Sequence, residues 1–261
     1  MADCVQSFYD QLAGSYHLIF ENWEASIRRQ AGALGAILQR VCGPPGQSQA
    51  RILDCACGIG TQALGLASLG YNVSACDVSA ASVKRLRVEN DKRGLKIEAF
   101  AADMRDLKMV ADGAFDVVVC MDNALPHLES DEELLSAANQ ISKKLRPGGT
   151  FIASIRDYDA LIEQKPTVQG PAFYSDEGKR RIVHQVWDWL DERSYLIHLY
   201  ITKEQAEGWH TQHYVSKYRA LLREQLDGIL QSAGFNETRW LFPSDSGFYQ
   251  PIVLARTKNT L

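Results

Sequence analysis

Long apolar runs are missing from this chain of 261 residues. No stretch reaches the roughly 18 consecutive apolar residues that a membrane-spanning helix needs, so the sequence predicts no membrane segment. The first residues, Met1 to Gln6, have neither a basic region nor an apolar core. We therefore predict that the chain starts without a signal peptide and acts in the cytoplasm.

An excess of positive charge is also missing. The 28 Lys and Arg residues are outnumbered by 32 Asp and Glu residues, which gives a net charge of −4. Such a chain lacks the basic surface that nucleic acid or an anionic membrane would require, and neither is a predicted partner. The sequence also contains no internal repeat and no low-complexity tract. From its length, one domain, or one domain with a sizeable insertion, is expected.

A zinc template is missing as well, because the spacing of the six cysteines fits none. Four of them, at positions 55, 57, 76 and 120, lie in or beside apolar runs. We interpret these cysteines as reduced, small apolar residues. The histidines at 127, 184, 198, 210 and 213 are spread over loops and strands, and no metal site is predicted.

Apolar runs alternate with helical patterns between residues 50 and 157. The predicted strands are 50–55, 71–76, 95–101, 115–121 and 150–155, and the predicted helices are 62–69, 81–93 and 131–145. Strict alternation favours a parallel sheet with helices on both faces. A further helix at 221–232 and strands at 237–242 and 252–256 would complete a doubly wound α/β fold with seven mostly parallel strands.

Two parts of the chain depart from this alternation. Residues 5–41 carry aromatic and aliphatic side chains at three- and four-residue spacing, which predicts an N-terminal helical cap over 1–46. Period-two runs separated by turn residues predict an antiparallel three-stranded lid within 161–218. The ligand-binding domain would then comprise 47–160 and 219–261.

The string DCACGIGT, at residues 54–61, lies where the first predicted strand turns into the first helix. Glycines at such a turn let a ligand approach the backbone, because they have no Cβ to collide with it. Asp77 ends the second predicted strand, where a carboxylate can accept hydrogen bonds from both ribose hydroxyls. The loop by itself is compatible with a dinucleotide as well as with another adenosine compound.

The wider string Asp-x-Ala-Cys-Gly-x-Gly-Thr resembles the first motif of class I S-adenosylmethionine-dependent methyltransferases. The resemblance implies S-adenosylmethionine as cofactor and S-adenosylhomocysteine as product, with the methionine part beside Ala56, Gly58 and Gly60. It implies that Asp77 binds the ribose and that Asp103 accepts a hydrogen bond from the adenine amino group. The other residues that we predict at the cofactor are Asp54, Val78, Met104, Met121 and Asn123.

Two later strings resemble the small-molecule N-methyltransferases of the glycine and sarcosine type. MDNALPHL matches their Asn-small-x-x-His-Leu string through Asn123 and His127, and IRDYD matches their Arg-x-Tyr-Asp string through Arg156 and Tyr158. The resemblance implies that Arg156 clamps a substrate carboxylate, which a planar guanidinium can bind through two hydrogen bonds. It also implies that His127 and Tyr158 position the substrate. This chain carries Asp122 where that family commonly has glycine.

Methyl transfer from such a donor is an in-line displacement at a cationic sulfur, and aromatic faces favour a cation. Tyr16, Trp23 and Tyr214 are predicted to face the sulfur, with Tyr214 also near the substrate. Arg28 is predicted to bind the methionyl carboxylate. For each of these four residues, packing in the core is the competing interpretation.

These patterns together predict methyl transfer to a small polar acceptor, with an amine or amino acid as the first choice. O- or C-methylation of a larger metabolite stays open, because the lid region is rich in aromatic residues (Trp187, Trp189, Tyr195, Tyr200 and Trp209). The alternatives of other classes are an NAD-linked oxidoreductase and a non-catalytic protein that binds S-adenosylmethionine. The sequence leaves open whether the chain forms a homo-oligomer.

Overall fold

The computed structural model describes residues 4–47, 50–176 and 178–259. Its strands are β1 (Arg51–Asp54), β2 (Asn72–Asp77), β3 (Glu98–Ala101), β4 (Phe115–Cys120), β5 (Leu145–Ser154), β6 (Val168–Asp176), β7 (Lys179–Trp189), β8 (Ser194–Gln205), β9 (Gly208–Arg219), β10 (Phe235–Leu241) and β11 (Ile252–Thr257). Its α-helices are α1 (Cys4–Leu12), α2 (Trp23–Cys42), α3 (Thr61–Ser68), α4 (Ala80–Lys92), α5 (Asp131–Lys144), α6 (Tyr158–Gln164), α7 (Arg223–Ser232) and α8 (Pro243–Ser246).

Seven strands form one sheet in the order β10-β11-β5-β4-β1-β2-β3. The pairs from β5 to β3 are parallel, and β11 runs antiparallel between β5 and β10. The predicted seven-stranded, doubly wound α/β fold is confirmed. Chain connections leave β1 on one side towards β2 and later return to β4 on the other side, so the carboxyl ends of β1 and β4 border the crevice where such folds bind ligands.

The centre of this sheet is buried on both faces. Val117, Val118 and Val119 of β4 have no exposed surface. Val118 belongs to one apolar cluster, whereas Val117 and Val119 belong to a second cluster on the opposite face. This alternation explains why β4 reads as a continuous apolar run in the sequence.

The N-terminal region is not the single continuous helical pattern that the sequence predicts. Helix α1 ends at Leu12, a 3-10 helix follows at Tyr16–Ile19, and α2 begins at Trp23. Asn22 starts α2 by accepting a hydrogen bond from the Ala25 amide nitrogen at 2.9 Å. Helix α2 packs along α3, whereas α1 contacts β9 and α4.

The insertion contains four antiparallel strands, in the order β6-β7-β8-β9, and the predicted number of three is wrong. The additional strand β6 lies at the edge of this second sheet and contains Pro171. Proline cannot donate a ladder hydrogen bond and is therefore confined to edge strands and bulges. The inner face of the lid, including Trp187 and Tyr195, joins the same apolar cluster as Phe151 of the main sheet.

Two boundaries in the main sheet also differ from prediction. Strand β3 begins only at Glu98, and β5 begins at Leu145, before the Pro147-Gly148-Gly149 segment that the sequence reads as a turn. Across the described ranges, every helix is too short or too polar to cross a membrane.

Candidate active site

A pocket opens at the carboxyl ends of β1, β2 and β4. We call it the donor pocket. Side chains from the N-terminal segment, the β1–α3 loop and the loops after β2, β3 and β4 form its wall. The lining residues include Tyr9, Tyr16, Ala56, Gly58, Thr61, Gln62, Asp77, Val78, Asp103, Met104, Arg105, Met121, Asp122 and His127.

Asp77 holds the glycine loop and faces the donor pocket. Its Oδ2 accepts from the Gly58 amide nitrogen at 2.8 Å, and its Oδ1 accepts from the Ser79 amide nitrogen at 2.9 Å. Burial raises the pKa of Asp77, and these two backbone donors act in the opposite direction. Gly58 has φ +50°, and a Cβ built there would point into open space. A ligand can therefore approach the backbone at Gly58 and reach the Asp77 carboxylate.

Gly60 and Asp54 support the conformation of the glycine loop and do not line the donor pocket. A Cβ at Gly60 would overlap the Leu86 side chain, so this glycine permits α3 to pack against α4. Asp54 is buried, and its Oδ1 accepts a long hydrogen bond of 3.4 Å from the Ala56 amide nitrogen. Its Oδ2 has no hydrogen-bond partner among the described residues. Burial raises the pKa of Asp54 to about 8.

Asp103 reaches the donor pocket, but an arginine engages its carboxylate. Arg105 Nη2 donates to Asp103 Oδ2 at 2.6 Å, and Arg105 Nη1 donates to Glu133 Oε1 at 2.5 Å. A ligand amino group at Asp103 would thus share the carboxylate with Arg105. Met104 and Met121 lie in the same wall and supply the apolar surface that a flat ring requires.

A second, larger space lies beneath the lid and adjoins the donor pocket. We call it the acceptor cavity; its volume is 860 Å³. Arg156 lies in its wall, with the guanidinium carbon 4.7 Å from the Trp187 ring and 5.4 Å from the Tyr218 ring. Arg156 Nη1 also donates to the Tyr195 hydroxyl at 2.9 Å. These contacts fix the plane of the guanidinium and leave its remaining N–H groups for a ligand.

Tyr158 lies under this wall and has no exposed surface. Its hydroxyl accepts from Asn123 Nδ2 at 3.0 Å and lies 2.8 Å from the Tyr195 hydroxyl. Asn123 Oδ1 accepts from the Arg156 amide nitrogen at 3.0 Å. Tyr158 and Asn123 therefore position Arg156, and Asn123 lines the acceptor cavity instead of the donor pocket.

His127 lies between the donor pocket and the lid. Its Nε2 lies 2.8 Å from the Tyr9 hydroxyl, and its Nδ1 lies 3.4 Å from Ser216 Oγ on β9. The Tyr218 ring packs on the imidazole with the ring centres 4.0 Å apart. His127 is thus part of the donor-pocket wall, where the motif match predicts an active-site residue.

Three predicted cofactor residues lie away from both spaces. Arg28 is exposed on α2. Trp23 is buried in the second apolar cluster, and its indole nitrogen donates to Thr61 Oγ1 at 2.9 Å. Tyr214 packs edge-on against Phe8 with the ring centres 6.4 Å apart. Trp23 and Tyr214 fit the competing interpretation, packing in the core, whereas the exposed Arg28 fits neither interpretation. Only Tyr16 of the predicted aromatic set lines the donor pocket.

The sequence interpretation missed several residues of the site. Gln62 follows the glycine motif directly, and Tyr9 belongs to the aromatic stripe of the N-terminal region, so both carried a sequence signal. In the sequence, Asp122 stands out only as a departure from glycine, yet it lines both spaces. Its φ of +57° is unusual for a residue with a side chain.

The comparisons with known proteins agree with this geometry. Residues 52–149 match the family described as methyltransferase domain. The fold, the loop at Gly58 with Asp77, and this match show that residues 52–149 form a methyltransferase domain similar to that of the class I S-adenosylmethionine-dependent methyltransferases. The cofactor of that class carries a ribose, an adenine ring and a sulfonium cation, and the donor pocket presents a carboxylate, methionine side chains and tyrosine rings that fit them.

Two curated relatives and one solved structure show how far the similarity extends. The chain is 27% identical over 128 residues to glycine/sarcosine N-methyltransferase of Halorhodospira halochloris, covering 49% of this chain and 48% of that protein. It is 31% identical over 105 residues to ubiquinone biosynthesis O-methyltransferase of Xanthomonas euvesicatoria, covering 40% of this chain and 42% of that protein. The chain thus spans about half the length of these relatives. A methyltransferase structure from Clostridium acetobutylicum shares the fold, with a TM-score of 0.73, 15% identity and coverage of 98% and 100%.

Proposed function

We propose that this protein transfers a methyl group from S-adenosylmethionine to an amine nitrogen of a small polar metabolite held in the acceptor cavity. The observation that carries the proposal is the pairing of the two spaces. The donor pocket carries the features of the cofactor class, and it opens into a cavity whose wall presents Arg156. Tyr9, Tyr16 and Asp122 border both spaces, so a donor and an acceptor bound there would meet at these residues.

The donor pocket would hold the cofactor through a few residues. Asp77 would accept from the ribose hydroxyls, Met104 and Met121 would contact the adenine, and Gly58 would let the methionine part lie on the backbone. S-adenosylmethionine would supply an electrophilic methyl group on a sulfur that is a good leaving group. Catalysis then requires mainly orientation and exclusion of water, which the lid and the N-terminal segment provide by covering the junction.

Arg156 would bind a carboxylate or another acceptor oxygen. Its guanidinium is held between aromatic rings and hydrogen-bonded to Tyr195, so little side-chain entropy is lost when a ligand binds. The 27% identity to a glycine/sarcosine N-methyltransferase supports a nitrogen acceptor. His127 and Tyr158 would keep the cavity wall in place.

A second candidate is O-methylation of a larger metabolite. The acceptor cavity measures 860 Å³ and its wall includes Phe8, Phe20 and Trp187. This volume lies at the upper end of the roughly 300–1,000 Å³ that is typical of ligand pockets, and it could admit an acceptor much larger than glycine. The 31% identity to an O-methyltransferase over part of the chain also supports this candidate.

A methylation assay tests the proposal. The purified protein is incubated with S-adenosylmethionine carrying a labelled methyl group and with separate panels of amines, amino acids and phenols. We expect labelled product with members of the amine panels, together with release of S-adenosylhomocysteine. Label found only in phenols would favour the second candidate. Calorimetric binding of NAD without binding of S-adenosylmethionine would overturn both, and cofactor binding without turnover across all panels would indicate a binding protein.

The cytoplasmic location is part of the same proposal. All six cysteines are free thiols, and four of them are buried. Free thiols in this number are typical of a reducing compartment.

A further inference from the structure

We propose that Asp122 is the receptor for the acceptor's amino group and thereby selects amines over hydroxyl compounds. This inference rests on the proposed function and names the group that the acceptor cavity recognises. It is carried by the position of the Asp122 carboxylate, by its hydrogen-bond partners and by the lack of a basic partner.

The Asp122 side chain lies at the junction of the two spaces. It directly follows β4 and lines both the donor pocket and the acceptor cavity. Its amide nitrogen donates to Ser154 Oγ at 2.9 Å, which fixes the strained backbone at φ +57°. A nucleophile must approach the donor's methyl group at this junction, so a group held by Asp122 would lie beside the reacting atoms.

The Asp122 carboxylate is partly satisfied by neutral donors. Gln62 Nε2 donates to Oδ2 at 2.8 Å, and the Tyr249 hydroxyl donates to Oδ1. Burial raises the pKa of Asp122, and these two hydrogen bonds lower it. Each carboxylate oxygen has a second lone-pair direction available, so the carboxylate can accept further hydrogen bonds.

No lysine or arginine of the described chain forms an ion pair with Asp122. The other carboxylate in the cavity wall, Asp157, differs in this respect, because Arg223 Nη1 lies 2.5 Å from its Oδ1. A carboxylate withdrawn from water without a cation is unfavourable, and a cation brought by a ligand relieves that cost. An ammonium group carries the positive charge and the N–H donors that Asp122 lacks, whereas a hydroxyl group carries one donor and no charge.

A glutamine beside Asp122 extends this polar wall. Gln30 is 1% exposed and lines the acceptor cavity. Its Oε1 accepts from Gln62 Nε2 at 2.5 Å, whereas its Nε2 has no hydrogen-bond partner in the part of the chain that the structure describes. A buried donor without a partner costs about 1–3 kcal/mol, so an acceptor oxygen of the ligand is expected near Gln30 Nε2. The ligand thus carries an amino group with an oxygen function close to it.

The amino group of the donor's own methionine part is the competing occupant. The residues that contact Asp122 favour the acceptor instead, because Tyr249 lines the acceptor cavity and only Gln62 lines the donor pocket. Gln30, one step further along the same network, also lines the acceptor cavity. The test therefore includes two donor-pocket ligands that differ in the methionine part.

The experiment compares the wild-type protein with Asp122→Asn, which keeps the size of the side chain and removes its charge. The protein is saturated with S-adenosylhomocysteine and titrated with benzylamine and with benzyl alcohol, two probes of similar shape. We expect the wild type to bind benzylamine at least tenfold more tightly than benzyl alcohol. Asp122→Asn should abolish this preference and leave the affinity for benzyl alcohol within about twofold.

Affinities for S-adenosylhomocysteine and for 5′-methylthioadenosine, which lacks the methionyl amino group, complete the test. We expect Asp122→Asn to change neither of these two affinities by more than about twofold. Retained affinity would also show that the variant is folded. Loss of S-adenosylhomocysteine affinity alone would assign Asp122 to the donor and overturn the proposal. A wild type that binds both probes equally, or a variant that keeps the preference, would overturn it as well.

Asp157→Asn is the matched control, and we expect it to retain the preference for benzylamine because Arg223 already neutralises Asp157. None of these titrations requires turnover. If the amine preference depends on Asp122 but the methylation panels give no product, the proposed function fails and the amine receptor stands. If amines are methylated without a preference that depends on Asp122, the proposed function stands and the amine receptor at Asp122 is overturned.

Discussion

Asp77 combines two tasks, because one carboxylate tethers the Gly58 loop and faces the donor pocket. We expect Asp77→Ala to weaken S-adenosylhomocysteine binding by about 1–3 kcal/mol, since the ribose hydroxyls lose their acceptor and the Gly58 loop loses its tether. Calorimetry measures the change. Asp106→Ala is the control, because Asp106 is an exposed acid paired with Lys108 at 3.1 Å. Equal affinities of the wild type and Asp77→Ala would remove Asp77 from the site.

Arg156 is held by two aromatic faces and a tyrosine hydroxyl, and lysine cannot reproduce this planar arrangement. We expect Arg156→Lys to raise the KM of the amine that the panel identifies by about tenfold or more, with cofactor affinity within about twofold. Steady-state kinetics and calorimetry provide the two values. Arg180→Lys, on an exposed lid arginine paired with Glu204 at 2.6 Å, should leave both unchanged. An unaltered KM in Arg156→Lys would refute the clamp.

Asp54 makes the free energy of unfolding depend on pH. Its folded-state pKa of about 8 lies above the ordinary value of about 3.9, so between these values the folded protein retains a proton that the unfolded chain releases. Stability contributed by this group therefore falls as the pH rises through about 4 to 8, with a slope on the order of 1 kcal/mol per pH unit. In urea unfolding from pH 5 to 8, the free energy of unfolding of Asp54→Asn should rise relative to that of the wild type as the pH rises. Parallel curves would contradict this expectation.

At the scale of single residues, most of the predicted site residues at strand ends line a pocket, whereas two of those predicted on the N-terminal helices do not. Ala56, Gly58, Asp77, Val78, Asp103, Met104 and Met121 all line the donor pocket, because strand ends bring them to one edge of the sheet. Helical spacing, in contrast, does not say which neighbour a side chain meets. Arg28 therefore points to solvent and Trp23 packs in the core. Asp122 could not be recognised from its residue type, since only the fold brings Gln62 and Tyr249 to it.

At the scale of elements, the contact between α2 and α3 depends on a glycine. A Cβ at Gly65 would lie 2.7 Å from Ala31 Cβ and 3.0 Å from the Ile27 carbonyl oxygen. We expect Gly65→Ala to lower the free energy of unfolding by about 1–3 kcal/mol through overpacking. Gly32→Ala, in α2 with open space around its Cβ, should instead raise it by about 0.5–1 kcal/mol. Urea unfolding measures the change in the free energy of unfolding for each variant. Changes of the same sign would contradict the packing argument.

The elements that the sequence predicted best are the buried ones. A continuous apolar run such as β4 has one favourable environment, the centre of the sheet. The lid was harder, because Gly170 and Pro171 interrupt β6 and resemble a loop. Likewise, β5 contains Pro147 and two glycines near its start. In both places tertiary pairing overrides a local signal that favours a turn.

At the scale of the whole molecule, the lid and the main sheet share one apolar cluster. Trp187 and Tyr195 of the lid belong to it together with Phe151 and Phe235 of the sheet. We therefore expect one cooperative thermal transition. Near-ultraviolet circular dichroism, which reports the stacked Trp187 and Tyr195 rings 4.8 Å apart, should have the same midpoint as the far-ultraviolet signal. Earlier loss of the near-ultraviolet signal would show that the lid unfolds by itself.

The N-terminal segment connects these parts further. Asp10 of α1 accepts from Ser79 Oγ at 2.6 Å at the start of α4, whereas Ser15 donates to Gln212 on the lid at 2.9 Å. Arg181 of the lid donates to the Phe20 carbonyl oxygen at 3.3 Å. Residues 10–20 thus contact both the start of α4 and the lid.

The wall that Tyr9, Tyr16 and Asp122 share between the two spaces has a thermodynamic consequence. If one ligand changes the arrangement of that wall, it changes the affinity of the other, and linkage requires the two factors to be equal. An acceptor that raises the affinity for the spent cofactor would thereby strengthen inhibition by that product. Under the proposed function, the same three side chains would both align the reactants and set how strongly the product inhibits the next turnover.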